Sequence, residues 1–294
     1  MKAWMLIFLV GCNLYTQRGF ALASNYEQEI AEWRTQQEKN LRSESSWLTV
    51  VGLWWLQAGD NSVGAGSNKQ VQLPVGVPEN LGVITWHKEQ LMIRFTESEQ
   101  VSLDHKVVVK GQSYPLQTDD APQKTLVNIG KNVEFFIIKR PNGMGVRVKD
   151  KESEARKNFK GRAWYPAQKN FVIEASWVAL PSPKEIVVPD VLGNKSTEKV
   201  TGYVSFQKDG KTYHLYPNSM EDGLFFVFRD ATSGKGTYGA GRFLSTELPN
   251  KQGKVILDFN KAVSPPCAFT HFATCPLPPK ENILPMSIEA GEKF

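Results

Sequence analysis

The chain has 294 residues, 35 basic against 30 acidic side chains, a net charge of +5, and 41% hydrophobic residues. That length can bury a sizeable core as one large domain or two modest ones, and the apolar fraction excludes global disorder. With 17 prolines and 23 glycines a helical bundle or coiled coil is excluded, and charges of both signs interspersed along the chain read as a solvated surface, so no nucleic-acid partner is expected.

Met1-Lys2 precedes a short apolar run that ends at Gly11-Cys12. The run is too short to cross ~30 Å of hydrocarbon and reads as the core of an export signal. Two cleavage points stay open. Leu9-Val10-Gly11-Cys12 has the pattern of a bacterial lipobox, which makes 1–11 the signal and Cys12 a lipidated first residue. Ala21-Leu22-Ala23 is an A-x-A site, which makes 1–23 the signal. Either way the protein is expected to be exported, to the periplasm or as an outer-membrane lipoprotein of a Gram-negative bacterium. It would then meet the membrane only through an N-terminal lipid anchor.

A helix is expected over 24–45, with Tyr26, Ile30, Trp33 and Gln37 on one stripe. From Trp47 the pattern changes to short apolar runs broken by Gly, Pro, Asn and Asp, such as Leu91–Phe95, Val133–Ile138 and Phe171–Ala175. That spacing predicts a mainly β protein, with a sandwich-like module over 46–179. A second antiparallel β module is expected over 180–294, containing a hairpin at Lys208-Asp209-Gly210-Lys211 and closed by a Pro-rich C-terminal strap. Leu180-Pro181-Ser182-Pro183-Lys184 reads as the connector between the modules, with one continuous β structure as the alternative.

Three stretches carry a resemblance. They are Ser46-Trp47-Leu48-Thr49 running on to Gly64, Arg229-Asp230-Ala231-Thr232-Ser233-Gly234 with Thr237–Phe243, and Asp258-Phe259-Asn260 through Pro265-Pro266-Cys267 and Cys275–Pro279 to Glu292. With Arg147, Asp150 and Trp164-Tyr165-Pro166, the chain resembles, over about 26–294, the bacterial and archaeal family known as domain of unknown function 1684. That name implies no activity. The segment from Leu56 through Gly64 to Pro74 is also similar to the opening strands of forkhead-associated phosphopeptide-binding domains, but Ala65 stands where those domains place an arginine. The similarity implies a sandwich and not phosphothreonine recognition.

Cys267, His271 and Cys275 have the spacing C-x3-H-x3-C. In an oxidising compartment Cys267 and Cys275 are expected as a disulfide or two buried thiols, with a metal site that adds Asp258, or a reactive cysteine, as alternatives. No metal and no cofactor is expected. The glycine-spaced segment from Arg229 to Arg242 is the leading ligand site: Arg229, Asp230, Thr232, Ser233, Tyr238 and Arg242, with Asn260 from the strap, would line a pocket for a small anionic or polar ligand. The bland alternative is a hairpin whose arginines pair with Asp230 and Asp258 to hold the strap. A hydrolase using Asp230 or Asp258 as acid and base is the second reading, and a purely structural lipoprotein the third. Arg147 and Lys149, next to Asp150-Lys151-Glu152, read as a solvated charged face.

Overall fold

The computed structural model describes residues 13–294, with side chains from 25 onward. Cys12 and the apolar run before it lie outside the described residues. Helix α1 (Asn13–Arg42) begins ahead of the expected Ser24 and ends on Lys39 and Arg42, cations that suit the negative end of a helix dipole. Ile30 and Leu41 are buried, with Tyr26, Trp33 and Gln37 half-buried on the same stripe. No helix among the described residues is long and apolar enough to cross a membrane.

Eleven strands follow: β1 (Val50–Trp55), β2 (Gly59–Gly64), β3 (Val71–Gln72), β4 (Gly82–His87), β5 (Gln90–Phe95), β6 (Val101–Leu103), β7 (Lys106–Val107), β8 (Ser113–Pro115), β9 (Val127–Ile129), β10 (Val133–Arg140) and β11 (Gly143–Asp150). They form a six-stranded sheet in the order β1-β11-β10-β9-β6-β7 and a five-stranded sheet in the order β3-β2-β4-β5-β8. Alternation sets the faces. In β5, Leu91, Ile93 and Phe95 are buried while Met92 and Arg94 are not; in β11, Val146 and Val148 enter the core. There they join Ile84, Ile93, Phe135 and Ile137 in one cluster, which leaves Arg147 and Lys149 on the opposite face of the sheet.

Beyond the short helix α2 (Glu154–Lys157) come β12 (Ala163–Trp164), β13 (Val172–Pro189), β14 (Lys195–Lys208), β15 (Lys211–Leu215), β16 (Leu224–Phe228), β17 (Arg242–Thr246), β18 (Lys254–Asp258) and β19 (Glu292–Lys293). A four-stranded sheet, β15-β14-β13-β18, and the β16–β17 pair enclose a second core of Phe206, Phe226, Phe228, Leu257 and Phe259. Asp209 and Gly210 both take positive φ, at 52° and 73°, in the turn between β14 and β15. A two-residue hairpin of matching twist needs that pair of values.

The expected connector is a correction. β13 runs through Leu180–Lys184, and the two prolines, which lack a donor, coincide with a register shift between Ala179 and Lys184. The boundary expected between 179 and 180 therefore falls inside a strand. The first core ends at Val148 and the second begins at Phe171.

Candidate functional site

The segment from Arg229 to Arg242 brings Asp230, Thr232, Ser233 and Arg242 together, into a packed latch. The Asp230 carboxylate accepts hydrogen bonds from Thr232 Oγ1 at 2.8 Å, the Ile288 amide at 2.7 Å and Arg242 Nη2 at 3.2 Å. Ser233 Oγ donates to Asp230 at 3.4 Å. Arg242, with 0% exposure, also donates to the carbonyls of Ile288 and Ala290. Burial pulls its pKa down, and Asp230 opposes that shift. Gly241 sits at φ 109°, and a Cβ there would meet the Phe228 carbonyl at 2.6 Å, so the chain can enter β17 only as glycine. Together these contacts pin the strap to β17.

The remaining candidates are dispersed. Arg229 is exposed, and its backbone forms a bridge to Ile283. The Tyr238 hydroxyl donates to the Cys267 carbonyl at 3.1 Å. Asn260 belongs to a separate network under α1: its amide donates to Tyr26 Oη at 2.8 Å, while Tyr26 donates to Asp258 Oδ1 at 2.9 Å. Asp230 and Asp258 thus serve different networks, and each carboxylate is occupied by internal donors. Cys267 and Cys275 are joined as a disulfide with a Cα–Cα distance of 6.3 Å, so neither presents a thiolate, and His271 between them is exposed.

The buried cation that lacks a paired carboxylate among the described residues lies elsewhere. A cleft of about 570 Å³ opens between the outer face of the β10–β11 sheet and the strap, lined by Trp47, Phe136, Arg140, Arg147, Lys149 and Thr274 among others. Register explains the sheet side: Phe136 pairs with Arg147, and Glu134 with Lys149, so these four share the face turned away from the first core. The strap closes the opposite wall. Thr270 Oγ1 donates to the Val50 carbonyl at 3.0 Å, and the disulfide brings Cys275 and its neighbours Thr274 and Pro276 to the rim.

Arg147 is 4% exposed, and no carboxylate among the described residues pairs with it. Its Nη2 donates to Thr274 Oγ1 at 3.3 Å, its guanidinium lies 5.0 Å from the Trp47 ring centroid, and its Nε has no hydrogen-bond partner. Burial first, and then the Arg140 charge, push its pKa down to about 10. It therefore remains a cation at neutral pH, held in a poorly solvated place. Arg140, in contrast, is matched by Asp119 through contacts of 2.8 and 3.1 Å. The Lys149 ammonium reaches the Ser45 carbonyl at 2.8 Å and Glu134 at 3.6 Å.

Arg147 and Lys149 are the residues that the sequence reading placed on a solvated face; Lys149 is only 12% exposed. The signal was present in Gly143-Met144-Gly145-Val146-Arg147-Val148-Lys149, where strict alternation sets both cations on one face. What covers that face is the strap, more than a hundred residues away in the chain.

Residues 157–293 match the family described as "Protein of unknown function (DUF1684)". This part of the chain carries the strap wall of the cleft, whereas Trp47, Arg140, Arg147 and Lys149 precede it. Among solved structures, an uncharacterized protein of Haloarcula marismortui is 28% identical, covering 47% of this chain and 79% of that chain at a TM-score of 0.39. A chain from work on phosphothreonine-dependent FHA domain interactions is 17% identical, covering 33% of this chain and 92% of that chain at a TM-score of 0.23. No curated protein matches the chain.

Proposed function

We propose that the protein binds a small anionic ligand in the cleft between its two β modules, with Arg147 as the principal anchor. One observation carries this reading: a guanidinium 4% exposed, with no carboxylate paired to it among the described residues, lines an open cleft of about 570 Å³. A buried charge without a partner is destabilising, so a site that keeps one is suited to a ligand that completes it. Arginine's planar fork suits two oxygens of one carboxylate or phosphate. A hydrolase built on Asp230 or Asp258 has less support, because internal donors occupy both carboxylates.

Arg147→Met tests the reading by calorimetric titration and thermal shift with a panel of phosphate, sulfate and carboxylate compounds. The wild type is expected to bind members of the panel, and the variant at least tenfold more weakly, a loss of about 1.4 kcal/mol. The unliganded variant is expected to melt at the same temperature or a few degrees higher, since a buried cation gives way to an apolar chain of similar length. A wild type that ignores the whole panel, or a variant that binds as well, overturns the reading.

We further propose that the protein works outside the cytoplasm as a lipoprotein anchored at Cys12. The basic-apolar start ahead of Cys12 supports this, as does the Cys267–Cys275 bond, a pairing characteristic of oxidising compartments.

A further inference from the structure

The occupant's charge and body can be read from the walls of the same cleft, an inference that rests on the anion-binding reading above. Four cations line it, Lys124, Arg140, Arg147 and Lys149, against one carboxylate, Asp119. Asp119 is committed to Arg140, and Glu134, which does not line the cleft, stands behind Lys149. Arg147 and Lys124 are left without a carboxylate partner among the described residues; Lys124 sits 4.0 Å from the Phe136 ring centroid. With Arg140 paired to Asp119 and Lys149 to Glu134, two cations of the cleft are left without a paired carboxylate.

These charges form one cluster. Lys149 is held below its ordinary pKa first by burial, with Glu134 opposing and Lys124 and Arg147 lowering it further. Arg147 is lowered in turn by Arg140. Cations that feel one another this closely are better matched by a single group carrying two charges than by two separate single charges. Beside Ser45, Ser46 and Thr274, the rest of the wall is mostly apolar, with Trp47, Val50, Phe136, Phe243, Pro266 and Pro276. The volume of about 570 Å³ falls within the range of roughly 300–1,000 Å³ typical of small organic ligands, far beyond what a lone inorganic ion fills.

We infer that the ligand is a small organic phosphomonoester, its dianionic phosphate seated between Arg147, Lys149 and Lys124 and its ring or apolar body laid against Trp47 and Phe136. The phosphate oxygens accept from the Arg147 guanidinium and from the lysine ammoniums, and the body covers the open face of the cleft.

Phenyl phosphate, phenyl sulfate and inorganic phosphate separate the possibilities by calorimetric titration of the full chain at pH 5.0 and 7.5. A phosphomonoester loses its second proton near pH 6, so only about a tenth is dianionic at the lower pH. No histidine among the described residues lines the cleft, so that titration belongs to the ligand. Phenyl phosphate is expected to bind about tenfold tighter at pH 7.5 than at pH 5.0, about tenfold tighter than phenyl sulfate at pH 7.5, and tighter than inorganic phosphate. Lys124→Ala is expected to erase most of the phosphate-over-sulfate preference while phenyl sulfate still binds. If phenyl sulfate matches phenyl phosphate at pH 7.5, or Lys124→Ala weakens both equally, the dianion is wrong while anion binding stands. If inorganic phosphate binds as tightly as phenyl phosphate, the organic body is wrong. If none of the three binds, the anion-binding reading falls as well.

Discussion

Arg147 and Arg242 are both withdrawn from water, and only Arg242 has a carboxylate paired to it among the described residues. Arg242 has a carboxylate and two strap carbonyls, so its charge is satisfied from within. Asp230→Ala removes that carboxylate and also the acceptor of the Ile288 amide. Leaving a buried guanidinium uncompensated costs about 3–5 kcal/mol, so the urea midpoint is expected to fall steeply, and a midpoint within error of wild type would show that the latch contributes nothing. Both aspartates were visible in the sequence as polar residues in unusual company, but sequence cannot say whether a polar residue beside glycines faces solvent or interior. The same ambiguity hid the cleft. Val146-Arg147-Val148-Lys149 reads as a strand with one wet face, and only the strap's arrival makes that face half-buried.

Among the elements, α1 shows how far a periodic pattern reaches. The stripe at Tyr26, Ile30, Trp33 and Gln37 is the face that packs, and its neighbours include the β12 segment: Trp33 meets Trp164 edge-on at 5.7 Å, and the adjacent Arg34 donates to the Tyr165 carbonyl at 2.9 Å. Which surface the stripe would meet was not legible, because a helical stripe carries no address. Tyr26 supplies a pH signature for this docking. Burial first, then the Asp258 carboxylate, raise its phenol well above the ordinary value of 10.0. The folded state keeps the proton after the unfolded state has released it, so the contribution to stability is full below pH 10 and declines as pH rises above it. Tyr26→Phe should lose about 1 kcal/mol at neutral pH with the hydrogen bond to Asp258, and should show a shallower fall in urea midpoint between pH 10 and 11. Parallel pH profiles for the two proteins would sever Tyr26 from the effect.

Across the whole molecule, the mainly β architecture was legible because alternation and turn residues are local signals, and the hairpin at Asp209-Gly210 emerged where those residues require it. The division of the chain was less so: the prolines of Leu180–Lys184 mark a bulge inside a strand. Export belongs to the same level. If Cys12 is lipidated, the wild type incorporates labelled palmitate and sediments with membranes, whereas Cys12→Ala is unlabelled and soluble after cell breakage; label in both would exclude that cysteine. The strap's contact with β1 carries a further consequence. Thr270 and Val50 are separated by 220 residues, and Arg147 and Thr274 by 127. Contacts of such separation are slow to form, because a long loop must close before they repay its entropy. The first module can therefore gain its core from residues 56–148 while its outer face is still bare, with Arg147 and Lys149 hydrated and the cleft not yet in existence. Only a chain synthesised past residue 276 can assemble both walls, so the cleft forms late, after the strap has docked.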